Sequence, residues 1–432
     1  MKRTFLFCVG IIFSLQLQAQ EILKISREEA ETMFLQNNLL LISEQLNIES
    51  QKAEVIQAKL WPNPEFSVSE INLWANRRQT GGQEVSPPFW NNFGQNQQIA
   101  FELEQLVQTA GKRKKLIALE QVDVSKAEQY FEELLRELKL ELRNQLTELQ
   151  YIQHSIKVHQ YLIESISKLT NAYKNQLDQG NISKAEYIRL KAQELEINRE
   201  IFELTRQSNE VQKELKLLLR TNPLASIEIT NDGFVKETQA YKSLFIEKVI
   251  ESAKENRPGY KLALLEEEYS NKLLTFERAQ RVPDLTFGVN YDRNGNTMLD
   301  FVGVGVSFDL PFFNRNKGGI KKAQISIEGA KVQKEQIALT IENEVFLSYL
   351  SLQQAIDFIH KIEADYETDL DILLDSYTKN FASRNVSLLE YFDFMDAYLN
   401  NKKIILEAQK ELNQKVEELN YSLGRDFIIN NH

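Results

Sequence analysis

The chain has 432 residues, a formal charge of −11, 26% charged residues, and only 16 glycines and 8 prolines. That length allows two or three domains, and the scarcity of glycine and proline favours long helices over loop-rich β architecture. The acidic balance excludes the basic face that a nucleic-acid partner demands, and a single cysteine excludes a disulfide framework and a cysteine-rich zinc site.

The first residues read as a secretory leader over 1–19. Lys2 and Arg3 supply a positive start, Phe5 to Leu15 is apolar, and Leu17-Gln18-Ala19 offers a small residue for cleavage. The apolar run is too short to span about 30 Å of hydrocarbon. Cys8 lies inside that run and not at its end, so no lipid-modified N-terminal cysteine is expected. Loss of the two leader cations takes the chain from −11 to −13. No later stretch is apolar enough for a transmembrane helix. The protein is expected to be exported.

Residues 26–60 predict a helix capped by Ser26, with Glu28 and Glu29 in its first turn and Pro62 and Pro64 ending it. Phe66 and Val68 alternate with polar neighbours, residues 75–95 form a polar loop, and Ile99, Phe101 and Leu103 alternate again. This is a hairpin with a long loop. From about 108 to 178 no proline intervenes. Phe131, Leu134, Leu138, Leu142, Leu146, Leu149, Ile152 and Ile156 make an apolar stripe near the helical period. Such a helix runs roughly 100 Å and must pack along other helices. Gly180 breaks it, Ser183 caps a returning helix to about Arg220, and Pro223 ends that one. Residues 222–242 read as an irregular connector.

The pattern then restarts. A helix over 243–281 leads to Ala279 and Pro283, which match Ala58 and Pro62 at an offset of 221, as Phe287 and Val289 match Phe66 and Val68. Leu285, Phe287, Val289 and Tyr291 alternate, Asn294-Gly295-Asn296 turns, and Val302, Val304, Val306 and Phe308 alternate back. Gly318, Lys321 and Lys322 match Gly111, Lys114 and Lys115 at an offset of 207, as expected if only the first hairpin carries the long loop. A second long helix (319–380) and a second returning helix (386–423) follow. Tyr173, Asn181-Ile182-Ser183 and Glu186-Tyr187 recur 204 residues later as Tyr377, Asn385-Val386-Ser387 and Glu390-Tyr391. The chain is a tandem duplication: repeats over 20–221 and 243–425, the connector 222–242 between them, and a tail 426–432.

Catalytic chemistry has no support. The four histidines, His154, His159, His360 and His432, form no metal-binding pair on a helix face, and no phosphate loop or nucleophile elbow is present. Gly303 and Gly305 lie inside a strand and open no helix, so they read as close packing and not as a dinucleotide site. No enzymatic activity and no cofactor are expected. Four strands cannot close a barrel, and open edges cannot face lipid. Two-faced strands of about ten residues are nevertheless the pattern of an outer-membrane barrel, which needs about eight strands, so several copies must share one. The competing reading is a soluble β-patch capping a coiled coil.

Leader, duplication, the order of hairpin and long helix, and the repeated tip phrase together resemble the TolC family of outer-membrane efflux proteins, over about residues 22–425. The resemblance implies a mainly α fold with a small β part. In it, a homotrimer forms a periplasmic α-barrel, and four strands per chain join a shared twelve-stranded β-barrel in outer-membrane lipid. The partners it implies are a periplasmic adaptor protein and an inner-membrane pump. Around residues 283–319 the likeness is to the heavy-metal CusC/CzcC-type branch, with metal cations as cargo. The alternatives are a conduit of type I protein secretion and a non-conducting periplasmic coiled-coil scaffold. The family's acidic periplasmic gate maps to Glu390 and Asp393, extended by Asp396. Its tyrosine position on the incoming helix is Phe381 and its tip arginine position is Val386, with Arg384 as a local substitute. The tips Gly180, Asn181, Ile182 and Arg384, Asn385, Val386 resemble the family's adaptor-docking turns.

Overall fold

The computed structural model describes residues 22–69, 78, 81–82, 98–230, 234–235, 238–242, 244–293, 298–363 and 365–426. The leader, nearly all of the 75–95 loop, the Asn294-Gly295-Asn296 turn and the tail beyond Asp426 lie outside them.

The first copy runs β1 (Ile22–Ile25), α1 (Arg27–Asn37), α2 (Leu39–Lys59), β2 (Glu65–Ser69), β3 (Ile99–Val107), α3 (Lys112–Asp178) and α4 (Lys184–Leu219). The second runs β4 (Ser226–Ile229), α5 (Gln239–Lys242), α6 (Ile246–Asn256), α7 (Pro258–Ala279), β5 (Leu285–Arg293), β6 (Asp300–Ser307), α8 (Lys317–Ile359), α9 (Tyr366–Ala382) and α10 (Leu388–Leu423). The expected strands and the uninterrupted α3 are present. Four expectations need correction.

The helix expected over 26–60 is broken at Asn38. Its buried side chain accepts from the Leu40 and Leu41 amides at 3.0 and 3.1 Å and donates to the Leu218 carbonyl at 3.1 Å, so it starts a new helix. The helix over 243–281 breaks at Arg257, because Pro258 lacks an amide and occupies the first helical turn. The second long helix is interrupted between His360 and Asp365. Gly318 to Arg384 is three residues shorter than Gly111 to Gly180, since the offset falls from 207 to 204, and the shorter copy is the interrupted one. Finally, the connector is not wholly irregular. It contains β4, which pairs in parallel with β1, every partner 204 residues apart, so each copy opens with an equivalent strand.

The chain forms two units. One comprises the chain up to Ile42, Leu135–Glu251 and the chain from Glu344 onward. In it the middle of the predicted α3 stripe, Leu142, Leu146, Leu149 and Ile152, is fully buried; each such side chain contributes about 1.5–3 kcal/mol. The β1–β4 pair is fastened by glutamines: Ile227 N–H donates to Gln212 at 3.0 Å, and Ile229 N–H donates to Gln153 at 3.4 Å. Arg143 is held by Glu31 at 2.6 Å, Glu417 at 2.7 Å and Asp426 at 2.7 Å, which ties the end of the described chain to α3.

The other unit, Ser43–Leu134 and Ser252–Asn343, holds a four-stranded antiparallel sheet in the order β2-β3-β5-β6. The register gives the two faces opposite chemistry. Phe66, Leu103, Val289 and Val304 lie in one row, and Val68, Phe101, Tyr291 and Val302 in the next. Most of these apolar side chains are exposed, Val304 by 85%. Phe66 stacks on Phe101 at 6.2 Å, and Phe101 on Tyr291 at 6.4 Å. The other face carries Glu65 opposite Glu104, and Ser67, Glu102, Asn290 and Gly303 in one row. Like charges directly opposite one another destabilise a sheet, which water on that face moderates. The two hairpins join through Asp284, which accepts from the Thr109 amide and from Lys112, both at 2.8 Å.

Candidate gate and docking tips

The two tips are built alike. Gly180 and Arg384 occupy equivalent positions and both have left-handed backbones, φ 77° and 63°. For glycine this is free; for arginine it is unfavourable by about 1–2 kcal/mol. The Arg384 guanidinium donates to the Gln176 side chain on α3, which joins the second tip to the first within one protomer. Asn181 and Asn385 send their amides back to Gln176 and Asn380 carbonyls, both at 2.9 Å, closing the helix ends. Asn181 is exposed and Ile182 half-buried. Val386 turns inward, against the cluster containing Leu169, Leu190, Phe381 and Tyr391. Gly180, Asn181, Arg384 and Asn385 are thus the exposed tip residues, and Val386, like Ile182, is half-buried.

Each returning helix begins with a reciprocal cap. Ser183 Oγ accepts from the Glu186 amide at 3.2 Å, while Glu186 Oε2 accepts from the Ser183 amide at 3.0 Å. Ser387 and Glu390 repeat this at 3.3 and 2.9 Å. Such a box satisfies two amides that a helix start leaves open. The repeated Ser and Glu of the tip phrase thus have a structural reason. Hydrogen bonds from the Ser387 backbone and hydroxyl hold the Glu390 carboxyl below its ordinary range.

Asp393 and Asp396 are exposed on α10 one turn further on, with no cationic partner among the described residues. Partial burial and the charge of Asp393 push the Asp396 carboxyl up. The three acids therefore divide into a capping carboxylate at Glu390 and a mutually repelling pair at Asp393 and Asp396.

Sequence reasoning missed the aromatic stack beneath the tips. Phe381, only 2% exposed, lies between Tyr173 at 5.3 Å and Tyr391 at 4.8 Å, both rings nearly parallel to its own. Tyr377 stacks on Phe394 at 4.2 Å. The signal was available: Tyr173, Tyr377 and Tyr391 all belong to the repeated phrase. Below them, buried Lys402 pairs with Glu367 at 3.0 Å and Asp371 at 2.9 Å. A buried charge held this way fixes the α9–α10 hairpin, because losing either carboxylate leaves it under-paired.

No helix among the described residues is long and apolar enough to cross a membrane. Residues 249–425 match the model of the family described as outer membrane efflux protein. No curated protein sequence matches. Among solved structures the chain is similar to the outer membrane protein VceC of Vibrio cholerae, at 16% identity and a TM-score of 0.70, over 93% of this chain and 97% of VceC. It is also similar to the CmeC outer membrane channel of Campylobacter jejuni, at 14% identity and 0.73, over 92% and 85% of the two chains. CusC stands level with them, at 17% identity and 0.71, over 96% of each chain. At such identities the likeness is one of fold, and it does not single out the CusC branch. The family match covers the second copy, and the first copy repeats its order of strands and helices.

Proposed function

We propose that the protein is the outer-membrane exit duct of a tripartite efflux system. In this reading a homotrimer passes to the exterior what an inner-membrane pump and a periplasmic adaptor deliver. The observation that carries it is the sheet: one face apolar and exposed, the other polar, with β2 and β6 as open edges. Neighbouring strands all run antiparallel, so β6 of one copy and β2 of the next have the directions needed to pair. Three copies of four strands supply a barrel wide enough for a polar lumen.

The adaptor docks on the exposed tip residues Gly180, Asn181, Arg384 and Asn385. Asp393 and Asp396 form the acidic constriction, and Glu390 positions the helix that bears them. The carboxylates Glu65, Glu102 and Glu104 on the polar face favour cationic cargo, metal cations included. In planar bilayers, Asp393→Asn with Asp396→Asn is expected to raise single-channel conductance and weaken cation preference, while the cap stays intact. Unchanged conductance and selectivity would sink the gate. Failure of the wild-type chain to conduct at all would sink the duct.

A further inference from the structure

The sheet has two unlike ends. One carries the hairpin connections, and the other joins helices through residues 60–64, 108–111, 280–284 and 308–316. At the helix-joined end of the second hairpin, a cavity of about 390 Å³ is lined by Arg278, Arg281, Val282, Pro311, Phe312 and Arg315. All three arginines are exposed, and among the described residues no carboxylate lies within ion-pair reach of them. Elsewhere Arg143, Arg199 and Arg206 each hold two or more acids. The Arg315 side chain is oriented by its Nε–H, which donates to the Pro311 carbonyl at 3.1 Å.

The apolar spacing of β6 continues beyond the strand through Phe308, Leu310 and Phe312, all more than half exposed, and Phe313 is fully exposed. Unpaired guanidiniums beside exposed aromatic rings, at the margin of an apolar sheet face, have the composition of a lipid headgroup zone. At an offset of 221 the first copy has Leu60 and Trp61 where the second has Arg281 and Val282. Trp61 there is covered by Arg113 at 3.9 Å. The open cationic cavity is therefore a property of the second copy.

We propose that Arg278, Arg281 and Arg315, flanked by Phe312 and Phe313, seat the phosphate of an anionic phospholipid at the helix-joined margin of the sheet. Guanidiniums bind phosphate in a bidentate fork, and the rings lie in the acyl–headgroup boundary beside it. The seat rests on the reading that the sheet lies in the outer membrane, and it ties the protomer to the periplasmic leaflet.

The test uses the full chain, delipidated in detergent and titrated with phosphatidylglycerol, with bound lipid counted by native mass spectrometry. Arg278→Gln with Arg281→Gln and Arg315→Gln is expected to weaken phosphatidylglycerol binding by at least about tenfold, three surface cations being removed. The triple lysine variant, which keeps the charge and loses the fork, is expected to bind between the wild type and the glutamine variant, and phosphatidylcholine to bind the wild type and the glutamine variant alike. Inorganic phosphate at the same concentration is expected not to displace the lipid; full displacement would make the site one for free phosphate and overturn the lipid assignment. Equal retention by the wild type and the glutamine variant would also overturn it. If the glutamine variant does not fold, wild-type preference for phosphatidylglycerol over phosphatidylcholine decides, and no preference refutes the seat. Bilayer conductance is read on the same preparations. Channels that conduct but retain lipid equally sink the seat alone, whereas lipid selectivity without conductance sinks the duct.

Discussion

Phe381 and Arg384 lie three residues apart, Phe381 where the family has a tyrosine and Arg384 two residues before the place of its tip arginine, Val386. Phe381 instead completes an aromatic stack with Tyr173 and Tyr391, and Arg384 reaches Gln176 of its own protomer. Restoring the family's tyrosine by Phe381→Tyr buries a hydroxyl in that stack. The expected cost is about 1–3 kcal/mol in thermal or denaturant unfolding, with conductance unchanged. A fall in conductance at full stability would show that a latch had been rebuilt. Glu390 teaches a related lesson. Its three-residue spacing to Asp393 was legible, and so was the Ser-x-x-Glu spacing of a reciprocal helix cap that engages it with Ser387 instead. Glu186 does the same with Ser183 in the first copy.

The strands of the sheet were readable because each shows its two faces to two media, so hydrophobic and polar residues alternate over its whole length. The β1–β4 pair has no such length: four residues each, paired with partners 204 positions away. Its strands are held by side-chain amides of helices that are remote in sequence. Helix interruptions at Asn38 and between His360 and Asp365 escaped for a different reason. The apolar period continues across both, and neither contains proline or glycine. The sheet makes a sharp prediction. Val304→Lys puts a cation on the apolar face, at about 2–4 kcal/mol if that row lies at mid-membrane, and should abolish outer-membrane assembly. Asn290→Lys, on the polar face one row away, should assemble normally and lower cation preference. Fractionation with outer membrane and bilayer recording separate the two outcomes, and equal tolerance would reverse the assignment of faces.

At the scale of the whole chain, the family model matches residues 249–425, and the first copy repeats the order of strands and helices found there. Asp426, which follows the second copy, closes the ion cluster around Arg143. Partial burial acts to raise the Asp426 carboxyl, but hydrogen bonds from Arg143 and Lys139 outweigh it and bring it down to about 2. Its folded value lies below its unfolded one, so the stability it adds is present above about pH 4 and is lost as pH falls toward 2. Asp426→Asn should remove that dependence from unfolding curves recorded across this window and lower stability at neutral pH. An unaltered acid transition would mean the tail is not fastened.

The open edges of the sheet also set the order in which the protein is built. β2 and β6 carry unpaired backbone groups that hydrocarbon cannot satisfy. In the proposed duct a lone protomer therefore has no stable place in a bilayer, and association precedes or accompanies insertion. Biogenesis then depends on protomer concentration more steeply than first order, and the unassembled chain must wait in water with Val302, Val304, Phe66 and Phe287 exposed. That intermediate is the aggregation-prone one, and escorting it is the step at which a holding chaperone would act.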